Sequence, residues 1–541
     1  MPGLQNLLST VPRDTIQQIS LRVHTIECIG YLLTSIKDNK ELFQKDSTVI
    51  MNSLIGMQKQ FSQEKDDLHH PPILIVYGQI AEAMQGDFSH YLPLVFPYVF
   101  QGLTLSIEAK IDEPLSAQTK NNTTNGKIQK VTFDLHMLGG LKTLELNTAA
   151  LEQKIEAFHS LYQIANATKT SFYPYAQQTL DVLLEHMSYR NSKAIKENSI
   201  KTLVTILQAL PIQERTVALN KIVPKVIQQF QNAIKIQNDE EIVLLQANLA
   251  ECFKTIQSQE TLNTEFGTQI LQCLSESLSL CKLLKKDVKK EYANEDMDEA
   301  TQEEFEEKYD EANEIMQNMI DIIGQIVRLF PTLENVVVNS ILPDFFEVFT
   351  KENSTDSELN TSLCTFDEFL QYCSVQLFSK AFPDILTKFI DLAKNYQDSN
   401  VKQSSVFGIG LCAKRASVEQ FTPFLNLALE TLNELYTSSQ STVFENVIAC
   451  IFKIALYQIN DQGLKNNLFL KSFEKMPIKE DLEEACNLHE LLCVLYKEQN
   501  QAFVDIMPQV KNTLLNIGNW QQQNIKTFIL NEESQKYIQT L

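Results

Sequence analysis

Near the C-terminus, Cys486-x-x-His489-x-x-x-Cys493 has the residue types and spacing to set two thiolates and an imidazole on one helix face, as zinc ligands would stand. Structural zinc takes four ligands, and no fourth lies close by in the sequence, so the trio reads as a core stripe. Gly139-Gly140-Leu141-Lys142-Thr143 is similar to a phosphate-binding loop on the surface only, because the G-x-x-x-x-G-K-[ST] spacing is absent. His69-His70 precedes two prolines and reads as a loop. With no nucleophile elbow, isolated acid pair or metal cluster, catalysis has no residues to rest on. No enzyme activity, metal or cofactor is expected.

The chemistry that remains is binding by charge. Asp and Glu number 68 against 46 Lys and Arg, a net charge of −22. That balance argues against a nucleic-acid backbone as the main ligand and favours basic partners. Glu27, Asp367, Glu368, Glu445, Asn446, Glu483 and Glu484 are the candidates to hold cargo lysines and arginines through charge-assisted hydrogen bonds. A solvated helix face or an inter-repeat hydrogen bond competes at each, and the Asn446 amide suits a bridge between neighbouring repeats. A second acidic feature follows Lys282, Lys285, Lys286, Lys289 and Lys290: twelve acidic residues against one lysine, Lys308, between Glu291 and Glu314. Within it Glu295, Asp296, Asp298, Glu299, Glu303, Glu304, Glu306 and Glu307 could mimic nucleic acid toward a basic cargo. Such a run also reads as a solvated loop, and the adjacent lysines would let it fold back and regulate access.

The elements that must position these groups repeat. Pro343, Pro383 and Pro423 fall forty residues apart, each near the start of an apolar-periodic segment. Leu342-Pro343-Asp344-Phe345-Phe346 with Phe349 is echoed by Phe382-Pro383-Asp384-Ile385-Leu386 with Phe389. A polar turn and a second helical pattern follow each copy. A forty-residue unit of two antiparallel helices is the signature of a HEAT-type solenoid. Proline is tolerated in a first turn and bends a helix farther in. The expected fold is all-α, a HEAT-repeat α-solenoid of about eleven helix pairs with the second helix of each pair on the concave face.

At 541 residues with 15 glycines and 16 prolines, the chain favours such an array over one compact core. Repeats are expected over 1–107, an inserted and partly disordered loop over 108–139 with Val131 to Leu135 briefly extended, repeats over 140–284, a Lys-rich then acidic loop over 285–314, and repeats over 315–541. Second helices are expected near 193–210 and 239–257, and a long helix from Leu141 to about Ala167. The ten cysteines contain no C-x-x-C and suit reduced, buried thiols in a cytosolic or nuclear setting. No signal peptide is evident, and the uncharged run His90 to Ile107 carries two prolines and is short for a membrane span. Nothing before Leu4 supplies a polar end-repeat, so the start reads as internal to a longer array.

The sequence resembles the karyopherins of the importin-β superfamily, at the C-terminal half of the importin beta-3 type. The resemblance rests on Leu21-Arg22 with Thr25 to Ile29, on Leu141-Lys142-Thr143 through Leu151 to Lys154, and on the lysine-then-acidic run. It rests further on Cys364-x-Phe366-Asp367 with Cys373, on Val401 through Gly408-Ile409-Gly410, and on Glu445-Asn446 with Lys453-Ile454. It implies a carrier that moves basic cargo such as ribosomal proteins and histones through nuclear pores, between cytoplasm and nucleus. It implies binding of phenylalanine-glycine nucleoporins between outer helices and release of cargo by RanGTP, although the family's chief Ran-binding repeats have no counterpart in this sequence. Neither direct nucleic-acid binding nor membrane insertion is expected. The alternative is a non-shuttling HEAT scaffold of a larger assembly.

Overall fold

The computed structural model describes residues 2–61, 67–107, 109–112, 128–135, 140–257, 262–292, 299–349, 351, 354–438, 441–524 and 527–541. The chain divides into two compact units, 1–262 and 263–541, each built of helices packed in pairs. Apart from one small sheet in the first unit, the fold is the all-α HEAT-repeat solenoid type.

In the first unit the expected second helices form as Lys193–Ala209 and Asp239–Lys254. Both start sharply because Ser192 and Asn238 cap them, accepting from the backbone N–H groups of Ile195 and Glu241. Their far ends are tied together by Arg215, which donates to the Leu210 carbonyl at 3.0 Å and the Thr255 carbonyl at 2.8 Å. A guanidinium there satisfies carbonyls that a helix end leaves without partners. Toward the N-terminus, His70–Met84 packs on Thr148–Thr168, and Ser160 Oγ donates to the Leu74 carbonyl at 2.7 Å.

Two expectations are corrected in this unit. The helix expected from Leu141 begins at Thr148, because Gly140–Asn147 is the central strand of an antiparallel sheet with Ala109–Asp112 and Ile128–Leu135 on either side. The strand Ile128–Leu135 takes in the stretch expected to be extended; the rest of the inserted segment, 108, 113–127 and 136–139, lies outside the described residues. His70 is not a loop residue but opens the helix His70–Met84, while His69 stands at its N-cap in the preceding turn, and both are buried. His69 Nδ1 meets Asp67 Oδ1 at 2.6 Å, Arg22 Nε meets His69 Nε2 at 3.2 Å, and Arg13 pairs with Asp67 while stacking over Phe61. Burial by itself would raise the Asp67 carboxyl, yet hydrogen bonds from the His69 side chain and backbone, with the charges of His69 and Arg13, hold it below its ordinary range.

In the second unit the forty-residue repeat has a visible physical basis. Arg415, in the last turn of Ser399–Arg415, donates to the Leu370 carbonyl and, at 2.8 Å, to the Cys373 carbonyl at the end of Asp356–Tyr372. One repeat on, Gln458 of Ser441–Gln458 donates to the carbonyls of Ala413 at 2.5 Å and Ala416 at 2.9 Å. In both pairs the later second helix closes the end of the one before it. Gly408 allows the packing to be close: a Cβ there would stand 2.2 Å from Phe389 Cε2 and 2.6 Å from Asp367 Oδ1. Gly408→Ala is expected to destabilise this unit by about 1–3 kcal/mol through overpacking. A urea midpoint equal to wild type would show that the Phe389 ring yields freely.

The prolines do not all stand where their spacing suggests. Pro343 is in the first turn of Leu342–Val348, with Glu334–Ser340 ending just before it. Pro383 and Pro423 lie inside the continuous helices Val375–Asn395 and Val418–Ser438. The lysine-then-acidic stretch is a further correction, since it is helical on both sides of 293–298. Lys285 to Lys290 belong to Thr264–Glu291, and Glu299–Gln317 is a helix. Glu, Lys, Gln and Ala are strong helix formers, and Lys308 adds an i,i+4 pair to Glu304 at 3.3 Å.

Candidate binding surfaces

The residues proposed to hold cargo separate into buried and exposed groups. In the first unit Glu27 is partly exposed, with His24 Nδ1 at 2.9 Å from its carboxylate. In the second unit Glu445 is 7% exposed, and its two oxygens accept from the backbone N–H groups of Lys479, Glu480 and Asp481 at 2.7 to 3.1 Å. Asn446 donates to Asp481 Oδ2 at 2.9 Å, which makes it a bridge between successive repeats. Asp481 in turn caps Leu482–Lys497 by accepting from Glu484 N–H. Glu445 and Asn446 therefore hold the turn that starts the next second helix.

Glu484 and Asp367 are buried as well. The Lys453 ammonium lies 2.5 Å from Glu484 Oε1, an ion pair by distance without hydrogen-bond direction, and sits over the Phe407 ring. Asp367 presents Oδ1 to no hydrogen-bond partner, and burial, with Glu368 beside it, pushes its carboxyl well above the ordinary range against the opposing pull of Lys453. Glu368 is partly buried against Gly324, where a Cβ would lie 2.0 Å from Oε2. Glu483 is exposed. Burial thus takes Asp367, Glu445, Asn446 and Glu484 away from any partner in this conformation and leaves Glu27 and Glu483 with the most open surface.

Of the acidic run, Glu295, Asp296 and Asp298 lie outside the described residues, and Glu299 begins a helix. Glu303, Glu304, Glu306 and Glu307 are exposed on that helix. Tyr309 on the same helix is buried beneath Lys285 and Lys289, at 5.1 and 5.0 Å from its ring, and donates to Glu358 at 2.9 Å, while Lys308 reaches back to Glu291 at 3.2 Å. The trio Cys486, His489 and Cys493 lies elsewhere, packed into the C-terminal part of the second unit, with His489 Nδ1 donating to the Ile529 carbonyl at 3.1 Å. Among the described residues, no group of three His, Cys, Asp or Glu side chains is placed to hold a metal ion. No helix among them is long and apolar enough to cross a membrane.

One apolar cleft, of about 400 Å³, opens between the successive first helices Leu342–Val348 and Val375–Asn395. Leu342, Pro343, Phe346, Phe366, Phe369 and Ile385 line it. Phe346 is 49% exposed at its edge, its ring perpendicular to that of Phe366 at 6.2 Å. The spacing of Pro343 and Pro383 predicts the two helices but not the opening, which exists because the first helix breaks at Ile341 and presents a short segment instead of a continuous rod.

No family model matches the sequence. A probable importin-5 homolog of Dictyostelium discoideum is 21% identical over 534 residues, 93% of this chain and 45% of that protein. A probable importin subunit beta-4 of Schizosaccharomyces pombe is 25% identical over 122 residues, 22% of this chain and 11% of that protein. Among solved structures, Kap121p matches with a TM-score of 0.62 at 16% identity, over 100% of this chain and 48% of that one. The chain spans about half the length of the proteins it matches from end to end. Its resemblance to the importin-β superfamily, near the importin-5 members, thus extends from short motifs to almost the whole sequence and the fold.

Proposed function

We propose that the chain is a nuclear transport receptor of the importin-β type, or the cargo-binding part of one, working between cytoplasm and nucleus by way of the nuclear pore. The apolar cleft beside Phe346 carries this reading. Phenylalanine-glycine repeats offer single aromatic side chains on a flexible, polar chain, and a shallow apolar slot between outer helices is what such a side chain can enter. Kap121p, whose fold this chain shares, has been crystallised with Nup53p and with RanGTP, and also with Ste12p and Pho4p. Nucleoporin, cargo and Ran partners are therefore proposed for this chain too, with ribosomal proteins or histones as the basic cargo. Glu303, Glu304, Glu306 and Glu307, with Glu27 and Glu483, are the carboxylates whose exposure suits that cargo.

The test is binding of phenylalanine-glycine nucleoporin repeats to the purified chain, with a basic ribosomal protein and RanGTP as separate baits. Phe346→Ser is expected to weaken repeat binding about tenfold, the scale of losing one aromatic anchor. No binding of the repeats by wild type, together with a stable stoichiometric partner, would replace the receptor by the non-shuttling scaffold.

A further inference from the structure

Although the chain is strongly acidic overall, its second unit holds a basic cleft of about 420 Å³. Lys282, Lys285, Lys286, Lys289 and Lys290 follow one another at i, i+3, i+4, i+7 and i+8 on Thr264–Glu291, one face of the helix about 12 Å long. Lys351 stands across the opening, while Tyr309, Met316 and Val348 supply an apolar lining. Part of the charge is answered within the fold. Lys282 pairs with Asp344 at 2.6 Å, Lys285 with Glu358 at 2.9 Å and Lys351 with Glu347 at 3.1 Å. Lys286 and Lys289 have no carboxylate partner among the described residues; Lys289 lies over the Tyr309 ring at 5.0 Å.

We propose that this cleft binds a short acidic segment of a partner protein, laid along the Lys282 to Lys290 face with an apolar side chain between the lysines and Tyr309. The length of the lysine row matches about four residues of extended peptide, whereas a compact polyphosphate would engage only one end of it. Nucleic acid fits less well, because Asp344, Glu347 and Glu358 stand in the same cleft and would meet its phosphates. An acidic peptide tolerates those carboxylates by spacing its own charges around them. The site shares no lining residue with the Phe346 cleft and none with the exposed carboxylates offered to basic cargo, so the Lys286 and Lys289 substitutions test it without altering either.

The probe is a fluorescein-labelled peptide of glutamate and aspartate with one central phenylalanine, read by anisotropy against the full chain, with the glutamine and asparagine version as its neutral control. Lys286→Glu with Lys289→Glu is expected to weaken binding of the acidic peptide by at least about tenfold, since both charge-assisted contacts become repulsive. Lys475→Glu with Lys536→Glu, two exposed lysines of the same unit that do not line the cleft, changes net charge equally and is expected to leave affinity nearly unchanged. Circular dichroism melting of each variant reports that the fold is kept. Equal affinity of the two double variants, equal binding of the neutral peptide, or tighter binding of a single-stranded RNA of the same charge would overturn the assignment.

Discussion

Lys453→Met is expected to cost the second unit roughly 3–5 kcal/mol, the scale of stranding a buried charge. Lys453 is 12% exposed and Glu484 2%, so the carboxylate has no water to fall back on when the ammonium is removed. Methionine fills most of the space of the lysine stem, which confines the loss to charge rather than to a cavity. Two carboxyls feel the change. Glu484 loses its counter-ion at 2.5 Å, and Asp367 loses the one group that opposes the upward pull of burial and of Glu368. Adding Glu484→Gln to Lys453→Met is expected to recover most of the loss, because an uncharged amide is far cheaper to bury than a carboxylate. Urea denaturation of the four members of this cycle measures it. A single Lys453→Met loss below about 1 kcal/mol, within the range of ordinary surface changes, would mean that the carboxylates find water or another cation in solution.

The same three residues show how far the sequence can be read. That a second helix follows each proline-marked segment is legible in the apolar periodicity, and the structure gives Ser441–Gln458 and Leu482–Lys497. Which carboxylates on them face water does not follow. Glu483 and Glu484 are adjacent, and one is exposed while the other is buried, since each step along a helix turns the side chain by about 100°. The phase is decided by the neighbouring repeat, here by Lys453, 31 positions earlier in the sequence. Glu445 is hidden in the same way: its partners are backbone N–H groups 34 to 36 residues on, and any acidic residue would look alike in the sequence.

The errors of the fold reading share that origin. Ile128–Leu135 alternates locally, but Gly140–Asn147, where leucines spaced for a helix mask a strand, pairs with it and, across more than thirty positions, with Ala109–Asp112. The Asp67-His69 pair could have been noticed from two features, an aspartate two residues before a histidine and Arg13 with Arg22 upstream, yet only packing shows that the four meet. Pro383 and Pro423 mark the repeat faithfully and their helices poorly, because a proline inside a helix and one in its first turn leave the same forty-residue spacing.

A final expected result concerns pH and uses the one tryptophan of the chain, Trp520, which packs against the same core cluster as Leu488, Leu492 and Cys493. His489 is wholly buried there, and burial lowers its imidazole from 6.5 to about 4 in spite of the hydrogen bond from Nδ1 to the Ile529 carbonyl. Because the folded value is the depressed one, the neutral ring favours folding fully above about pH 6.5, and that contribution is lost as the pH falls toward 4, where the unfolded chain takes up a proton that the fold excludes. The gap corresponds to about 3 kcal/mol at 1.36 kcal/mol per unit. Carboxylates titrate near the lower end of the same window, so the informative quantity is the difference from His489→Gln, whose amide can still donate to Ile529 but cannot ionise. Urea unfolding followed by Trp520 fluorescence at about pH 7 and pH 4 is expected to show wild type losing about 3 kcal/mol more than the variant. An equal loss in the two proteins would mean that the His489 imidazole titrates in the folded core as it does in the unfolded chain, and that its burial gives no pH-dependent stability.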